Sequence, residues 1–248
     1  MLLIFDTSTT NGIVAVADPD NLTIVGQRHY ARKEGGSSLL LAGLEEILEA
    51  GDLAKNALTG IVVNRGPGSY TGLRVGFALA QGLAESLGIP AVTIPSYSAL
   101  AVQFQESGTA LVVCYDARSR GIGWITYMQD RKEPLCAGEN LTNGSSPQAG
   151  TETFELGSER VLLRLAPPLA LPGLIPRPCR LVGPGIAALV KQLEETTPDD
   201  LDLVTDSECP DVQYLMQLGV MNLQAGGEDH SQMTPFYIGT LDTPKQRL

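Results

Sequence analysis

Apolar positions along this chain follow two rhythms, one strand-like and one helical. Leu2 to Phe5 is a continuous apolar run and reads as a strand. Asp6-Thr7-Ser8-Thr9-Thr10-Asn11-Gly12 then forms a hairpin-type turn, and Ile13 to Ala17 is the returning strand. Leu22 to Gln27 is a candidate third strand after the Asp18-Pro19-Asp20-Asn21 turn. The rhythm then changes. Leu40, Leu41, Leu44, Ile47 and Leu48 share one helical face, with Glu45, Glu46 and Glu49 opposite. Ser37 or Ser38 is the expected N-cap and Gly51 the C-cap. Ile61-Val62-Val63 is a short buried strand, followed by a tight loop with Gly66, Pro67, Gly68 and Gly72 as breakers. An amphipathic helix is predicted from Leu73 to about Leu87, with Gly88 supplying a left-handed stop.

The rest of the chain carries no convincing internal repeat of these signals. Ala91 to Ile94 reads as a strand, and a helix runs from Ser96 or Ser98 to about Gln105. Ala110 to Tyr115 is a very apolar strand, with Ile122 to Met128 as its hairpin partner and the only tryptophan, Trp124, on it. Residues 134–150 look like loop, and the Pro-rich stretch 166–178 excludes regular helix or central strand. Leu181-Val182 is a short strand, Gly183-Pro184-Gly185 a second glycine turn, and Ile186 to Glu195 a helix. A last helix is expected from about Pro210, a residue suited to the first turn, to Gln224 before Gly226-Gly227. The domain transition falls near 105–110, giving subdomains 1–107 and 108–248.

Composition adds limits. The 248 residues suffice for one large or two small domains, with an ordinary globular balance of 43% hydrophobic and 18% charged residues. The opening Met-Leu-Leu-Ile-Phe is too short for a signal segment, and no apolar run is long enough to span a membrane, so a cytoplasmic protein without membrane contact is expected. Cys114, Cys136, Cys179 and Cys209 are widely spaced and read as reduced, structural thiols. The net charge of −11 is uneven. Gln192 to Pro244 contains eleven acidic residues and no Lys or Arg, which leaves 17 acids and 17 bases elsewhere. Such a surface repels phosphate backbones; it suits a basic partner or simple solubility.

The candidate chemistry gathers at the first glycine loop. Strand, loop and helix N-terminus form an anion-friendly corner, where backbone N–H groups and the helix dipole point inward. Gly68, Ser69 and Thr71 in the loop, with Asp6, Thr7 and Ser8 in the hairpin turn, are the candidate phosphate-binding set. The loop has no closing Lys-Ser or Lys-Thr and is not GxGxxG, and it reads equally as a plain chain reversal. The turn residues also read as local turn stabilisers. Gly72, Gly76 and Ala80 recur every four residues and make one smooth helical face, open to close approach by the sheet beneath or by a partner helix.

Gly66-Pro67-Gly68-Ser69-Tyr70-Thr71-Gly72-Leu73-Arg74-Val75-Gly76 closely resembles the GPGSFTGLRIG signature of the TsaB (YeaZ) family, accessory subunits in tRNA threonylcarbamoyladenosine synthesis. Phe5-Asp6-Thr7-Ser8 resembles the family's opening motif, Asp116-Ala117-Arg118 its internal Asp-Ala-Arg, and Pro235-Phe236-Tyr237 its C-terminal motif without the closing Arg. The resemblance implies an α/β protein with the actin/hexokinase/Hsp70-like ATPase (ribonuclease H-like) fold and two mixed-sheet subdomains. It implies a non-catalytic subunit that binds and activates a TsaD-like threonylcarbamoyltransferase, with a TsaE-like ATPase as further partner and a homodimer when the partner is absent. It places the partner interface on Leu40, Leu41, Leu44, Ile47, Leu48, Gly72, Arg74, Gly76 and Ala80. No cofactor is required on this reading, and ATP or ADP would be the nucleotide taken at the loop. The catalytic relative holds a metal with a His-x-x-x-His pair. This sequence has only His29 and His230, and nothing in it matches the superfamily's older glycoprotease label. Gly36, Gly121 and Gly123 stand where relatives carry His, Glu and Tyr. A small-molecule kinase or ATPase of the same fold, with Asp116 as its candidate acid, is the alternative; a diverged paralogue without the partner is another.

Overall fold

The computed structural model describes residues 1–31, 36–118, 121–127, 152–156, 161–193, 197–227 and 233–238. The expected loop at 134–150 lies outside the described residues. Two compact units emerge: one holds Met1–Ala99 and Pro210–Tyr237, the other Leu100–Cys209 and the chain from Ile238. The boundary therefore differs from the expected break at 107. The first unit also reclaims a C-terminal helix, because its sheet has a second apolar face to cover.

In the first unit the strands are β1 (Leu2–Asp6), β2 (Asn11–Asp18), β3 (Thr23–Ala31), β4 (Gly60–Gly66) and β5 (Ala91–Pro95), in the order β3-β2-β1-β4-β5. β1 pairs antiparallel with β2 and parallel with β4. Both faces of β1 are buried, which is why its sequence is a continuous apolar run and not an alternation. Leu3, Phe5, Ile61 and Val63 form one core with helix α1 (Gly36–Ala50) and helix α2 (Tyr70–Leu87). Val62 points the other way and meets helix α5 (Val212–Gln224). A Cβ on Gly219 would fall 2.4 Å from the Val62 side chain, so glycine is what lets α5 lie there.

The element boundaries carry three corrections. α2 begins at Tyr70, not Leu73: the Ser69 hydroxyl accepts from the Gly72 amide at 3.1 Å and caps the helix. The loop glycine at 72 thus belongs to the first helical turn. α1 starts at Gly36, which puts Ser37 and Ser38 inside the helix. α5 is capped by Asp211, whose carboxylate accepts from the Gln213 amide, so Pro210 precedes the cap. Gly88 is left-handed at φ 63°, as its position after the apolar stripe predicts.

The second unit contains β6 (Ala110–Asp116), β7 (Ile122–Tyr127), β8 (Glu152–Leu156), β9 (Val161–Ala166), β10 (Cys179–Val182) and β11 (Leu201–Leu203). Their order is β11-β10-β6-β7-β9-β8. β6 is antiparallel to β7 and parallel to β10, as β1 is to β2 and β4. Helix α4 (Ile186–Leu193) follows β10 as α2 follows β4. The two sheets share one plan, a duplication that the sequence conceals. Helix α3 (Ser96–Phe104) contains the point where the chain passes from one unit to the next. No helix among the described residues is long and apolar enough to cross a membrane.

Candidate functional site

The β1–β2 turn and the β4–α2 glycine loop of the first unit are locked together. The Ser69 amide donates to the Ser8 carbonyl at 2.6 Å. A Cβ on Gly68 would sit 2.3 Å from that same carbonyl oxygen, and one on Gly72 would sit 2.0 Å from the Thr7 carbonyl oxygen. Gly76 lies one turn on, where a Cβ would meet the Thr7 hydroxyl at 2.4 Å. The smooth face of α2 therefore receives the hairpin of its own unit, and Ala80 continues it into the core.

A buried polar network holds the turn from below. The Asp6 carboxylate accepts from the Ser8 amide at 2.8 Å, the Ser8 hydroxyl at 2.7 Å and the Asn64 side-chain amide at 2.8 Å. Asn64 in turn accepts from the Gly66 amide at 2.8 Å. Asp6 is 1% exposed. Burial raises its pKa, and the hydrogen bonds from Ser8 and Asn64 oppose that rise only in part. The loop amides of Gly66, Ser69, Gly72 and Leu73 all bond groups of this corner. The six residues of the expected phosphate set do converge, but Asp6, Ser8 and Ser69 spend their polar groups on one another's loops.

Beside this corner is a cavity of about 180 Å³, with Thr7, Gly12, Tyr30, Leu40, Thr71 and Val75 among its walls. Tyr30 lies flat over Gly12, its partner across the β2–β3 ladder; a Cβ there would be 2.1 Å from the ring. Sequence reading missed Tyr30, because β3 ends in polar residues and was expected to stop at Gln27.

The expected partner-binding stripe is mostly interior. Leu40, Leu44, Ile47 and Leu48 are at most 3% exposed and pack on the unit's own sheet, whereas Leu41 is 39% exposed. The exposed residues of α2 include Arg74, Ala78, Gly82 and Glu85. Arg74 stacks its guanidinium 4.1 Å from the centre of the Tyr70 ring. Gly82 differs from the other α2 glycines in having no atom within 4 Å of where a Cβ would stand. A C-terminal strap closes the corner's rim. The Phe236 amide bonds the Arg65 carbonyl at 2.8 Å, the Arg65 guanidinium lies 4.1 Å from the Phe236 ring centre, and Tyr237 packs on Tyr70.

In the second unit the Gly183-Pro184-Gly185 turn repeats this logic. The Gly185 amide donates to the Cys114 carbonyl at 2.9 Å, and a Cβ on Gly183 would meet that oxygen at 2.5 Å. Asp116 accepts from the Arg118 amide at 2.8 Å, and the two side chains form a 3.6 Å exposed ion pair that stabilises a turn. Gly121 has φ 93° and faces the Ala166 carbonyl, where a Cβ would be 2.2 Å away. A side chain at that position has no room in this backbone.

A family model described as "TsaD: tRNA N6-adenosine threonylcarbamoyltransferase" matches residues 34–143. An uncharacterized protein of Mycobacterium leprae (strain TN) is 33% identical over 185 residues, covering 73% of this chain and 49% of the relative. The "tRNA threonylcarbamoyladenosine biosynthesis protein TsaB" of Bacillus subtilis (strain 168) is 33% identical over 142 residues, covering 56% of this chain and 61% of that protein. The chain thus spans about half the length of the curated relatives it matches. The solved structure "YeaZ from Pseudomonas aeruginosa" superposes with a TM-score of 0.65 at 22% identity, covering 95% of this chain and 98% of that one. The likeness extends over both units, and the fold is the actin/hexokinase/Hsp70-like one that the motifs imply.

Proposed function

We propose, from its similarity to TsaB proteins, that the chain is a member of the TsaB (YeaZ) family and an accessory subunit of tRNA threonylcarbamoyladenosine biosynthesis. Its role is to bind and activate a TsaD-type threonylcarbamoyltransferase in the cytoplasm. A TsaE-type ATPase is a further partner, tRNA is contacted only indirectly, and the chain pairs with itself when the partner is missing.

The observation that carries this reading is Gly82. A glycine inside a helix costs about 0.5–1 kcal/mol relative to alanine. Gly72 and Gly76 offset that cost by seating the hairpin, but Gly82 faces open space. Approach of a partner's backbone to α2 gives the glycine a purpose. The face around it, Arg74 and Ala78 on α2, is exposed, as are Leu41 and Ala42 on α1. The interface is therefore the outer surface of these helices, not the buried stripe of α1.

The closed corner supports an accessory role over catalysis. Asp116, the candidate acid of a kinase or ATPase, accepts from the Arg118 amide and pairs with the Arg118 side chain, and Asp6 holds Ser8 and Asn64. The experiment is depletion of the chain in its source organism, with nucleoside mass spectrometry of bulk tRNA. Threonylcarbamoyladenosine is expected to fall and to recover with the wild-type chain and with Asp116→Ala. Unchanged modification would refute the proposal.

A further inference from the structure

The cavity beside the hairpin has more built into its walls than packing requires. Its volume of about 180 Å³ exceeds the roughly 150 Å³ that accommodates benzene in an engineered protein core. Two buried hydroxyls belong to its lining residues, Thr7 Oγ1 and the Tyr30 phenol, and neither has a hydrogen-bond partner among the described residues. Thr7 is only 5% exposed. Protein groups this deep are normally satisfied, so two orphans on one cavity point to something that bonds them there.

We propose that this cavity is a binding site for a small uncharged molecule with an apolar body and a hydrogen-bonding oxygen. The walls select that class. Leu40, Val75 and the Tyr30 ring offer apolar surface, and none of the lining side chains is ionised at neutral pH. An anion has no cationic side chain to meet and would approach the Asp6 carboxylate. Burial first, and that carboxylate second, push the Tyr30 phenol above its ordinary pKa, so it stays a donor. A cation finds no lining carboxylate, because Asp6 is already committed to Ser8 and Asn64. Gly12 is part of the construction, since any side chain there would expel the Tyr30 ring. The site stands independently of the accessory-subunit proposal.

The test uses the full chain with benzyl alcohol as the probe, followed by two-dimensional NMR titration. Benzoate and benzylammonium serve as its charged counterparts. Saturable shifts at Thr7, Tyr30 and Val75 are expected with benzyl alcohol, and at least tenfold weaker binding of both ions. Tyr30→Phe keeps the ring and should weaken the probe about fivefold, the worth of one hydrogen bond. Val75→Phe, at a half-buried position, fills the space and should abolish binding; if that variant does not fold, Tyr30→Phe decides. The proposal is overturned by the absence of saturable shifts, by equal binding of the ions, or by undiminished binding to Tyr30→Phe. A crystal structure in which ordered water alone fills the cavity after soaking with the probe would also overturn it.

Discussion

Gly72 presses its Cα so closely on the Thr7 carbonyl that a Cβ would stand 2.0 Å from the oxygen. That contact joins the glycine loop to the hairpin and fixes the geometry of the whole corner. Gly72→Ala must move backbone, not a side chain, and should cost about 3 kcal/mol or more. Gly82→Ala, on the same helix, should instead stabilise the isolated chain by about 0.5–1 kcal/mol. Urea unfolding of the two variants checks both signs.

Asn64 ties Asp6 to the glycine loop. Asn64→Ala removes a bond to a buried carboxylate and should destabilise the fold by roughly 2–3 kcal/mol. The loss should exceed that of Thr9→Ala, whose hydroxyl bonds the Asn11 carbonyl in exposed turn surface. Thermal unfolding of both variants distinguishes a corner held from below from one held by its rim.

Stability should depend on pH through Asp6. Burial raises its folded pKa above the ordinary 3.8, so the folded chain holds this proton more tightly than the unfolded chain. The stability it contributes is greatest below pH 3.8 and is lost as pH rises through the raised folded value. Asp6→Asn lacks this dependence. The stability difference, wild type minus variant, should therefore shrink as pH increases from 3.8 toward neutrality. A difference that grows over that interval would contradict a raised pKa.

Thiol reactivity should follow burial. Cys114 is fully enclosed and its pKa is raised, first by burial and then by Cys179. Burial also pushes the Cys179 thiol up to about 12. Neither should react with iodoacetamide at pH 8 in the folded chain, whereas the partly exposed Cys209 should. Peptide mass spectrometry before and after denaturation reads the order directly.

Much of the architecture was legible because each element carries its own local signal. Continuous apolar runs announced β1, β4 and β6, and Gly88 announced the end of α2. β8 and β11 were not legible, since their short segments become strands only through pairing with β9 and β10. Convergence of the hairpin and the glycine loop could be read from the motifs. The destination of the small-residue face could not. A stripe of Gly72, Gly76 and Ala80 states that something comes close, and only the tertiary structure identifies it as Thr7. The α1 stripe has a related explanation: periodicity marks the face that is buried, which here is buried on the chain's own sheet. The exposed Gly82 was available in the sequence but hidden among four other glycines of the same stretch.

The most direct measurement is size-exclusion chromatography of the chain co-expressed with the TsaD-type subunit of its source organism. The wild-type chain and Gly82→Arg are compared, and circular dichroism confirms that the variant is folded. A Cβ at this position meets no atom within 4 Å, so the exposed Arg should leave Tm within a few degrees while obstructing the outer face of α2. A stoichiometric complex for the wild type, lost or weakened at least tenfold in Gly82→Arg, is the expected result. Absence of a complex with the wild-type chain, or an equally tight one with Gly82→Arg, would contradict the proposed interface.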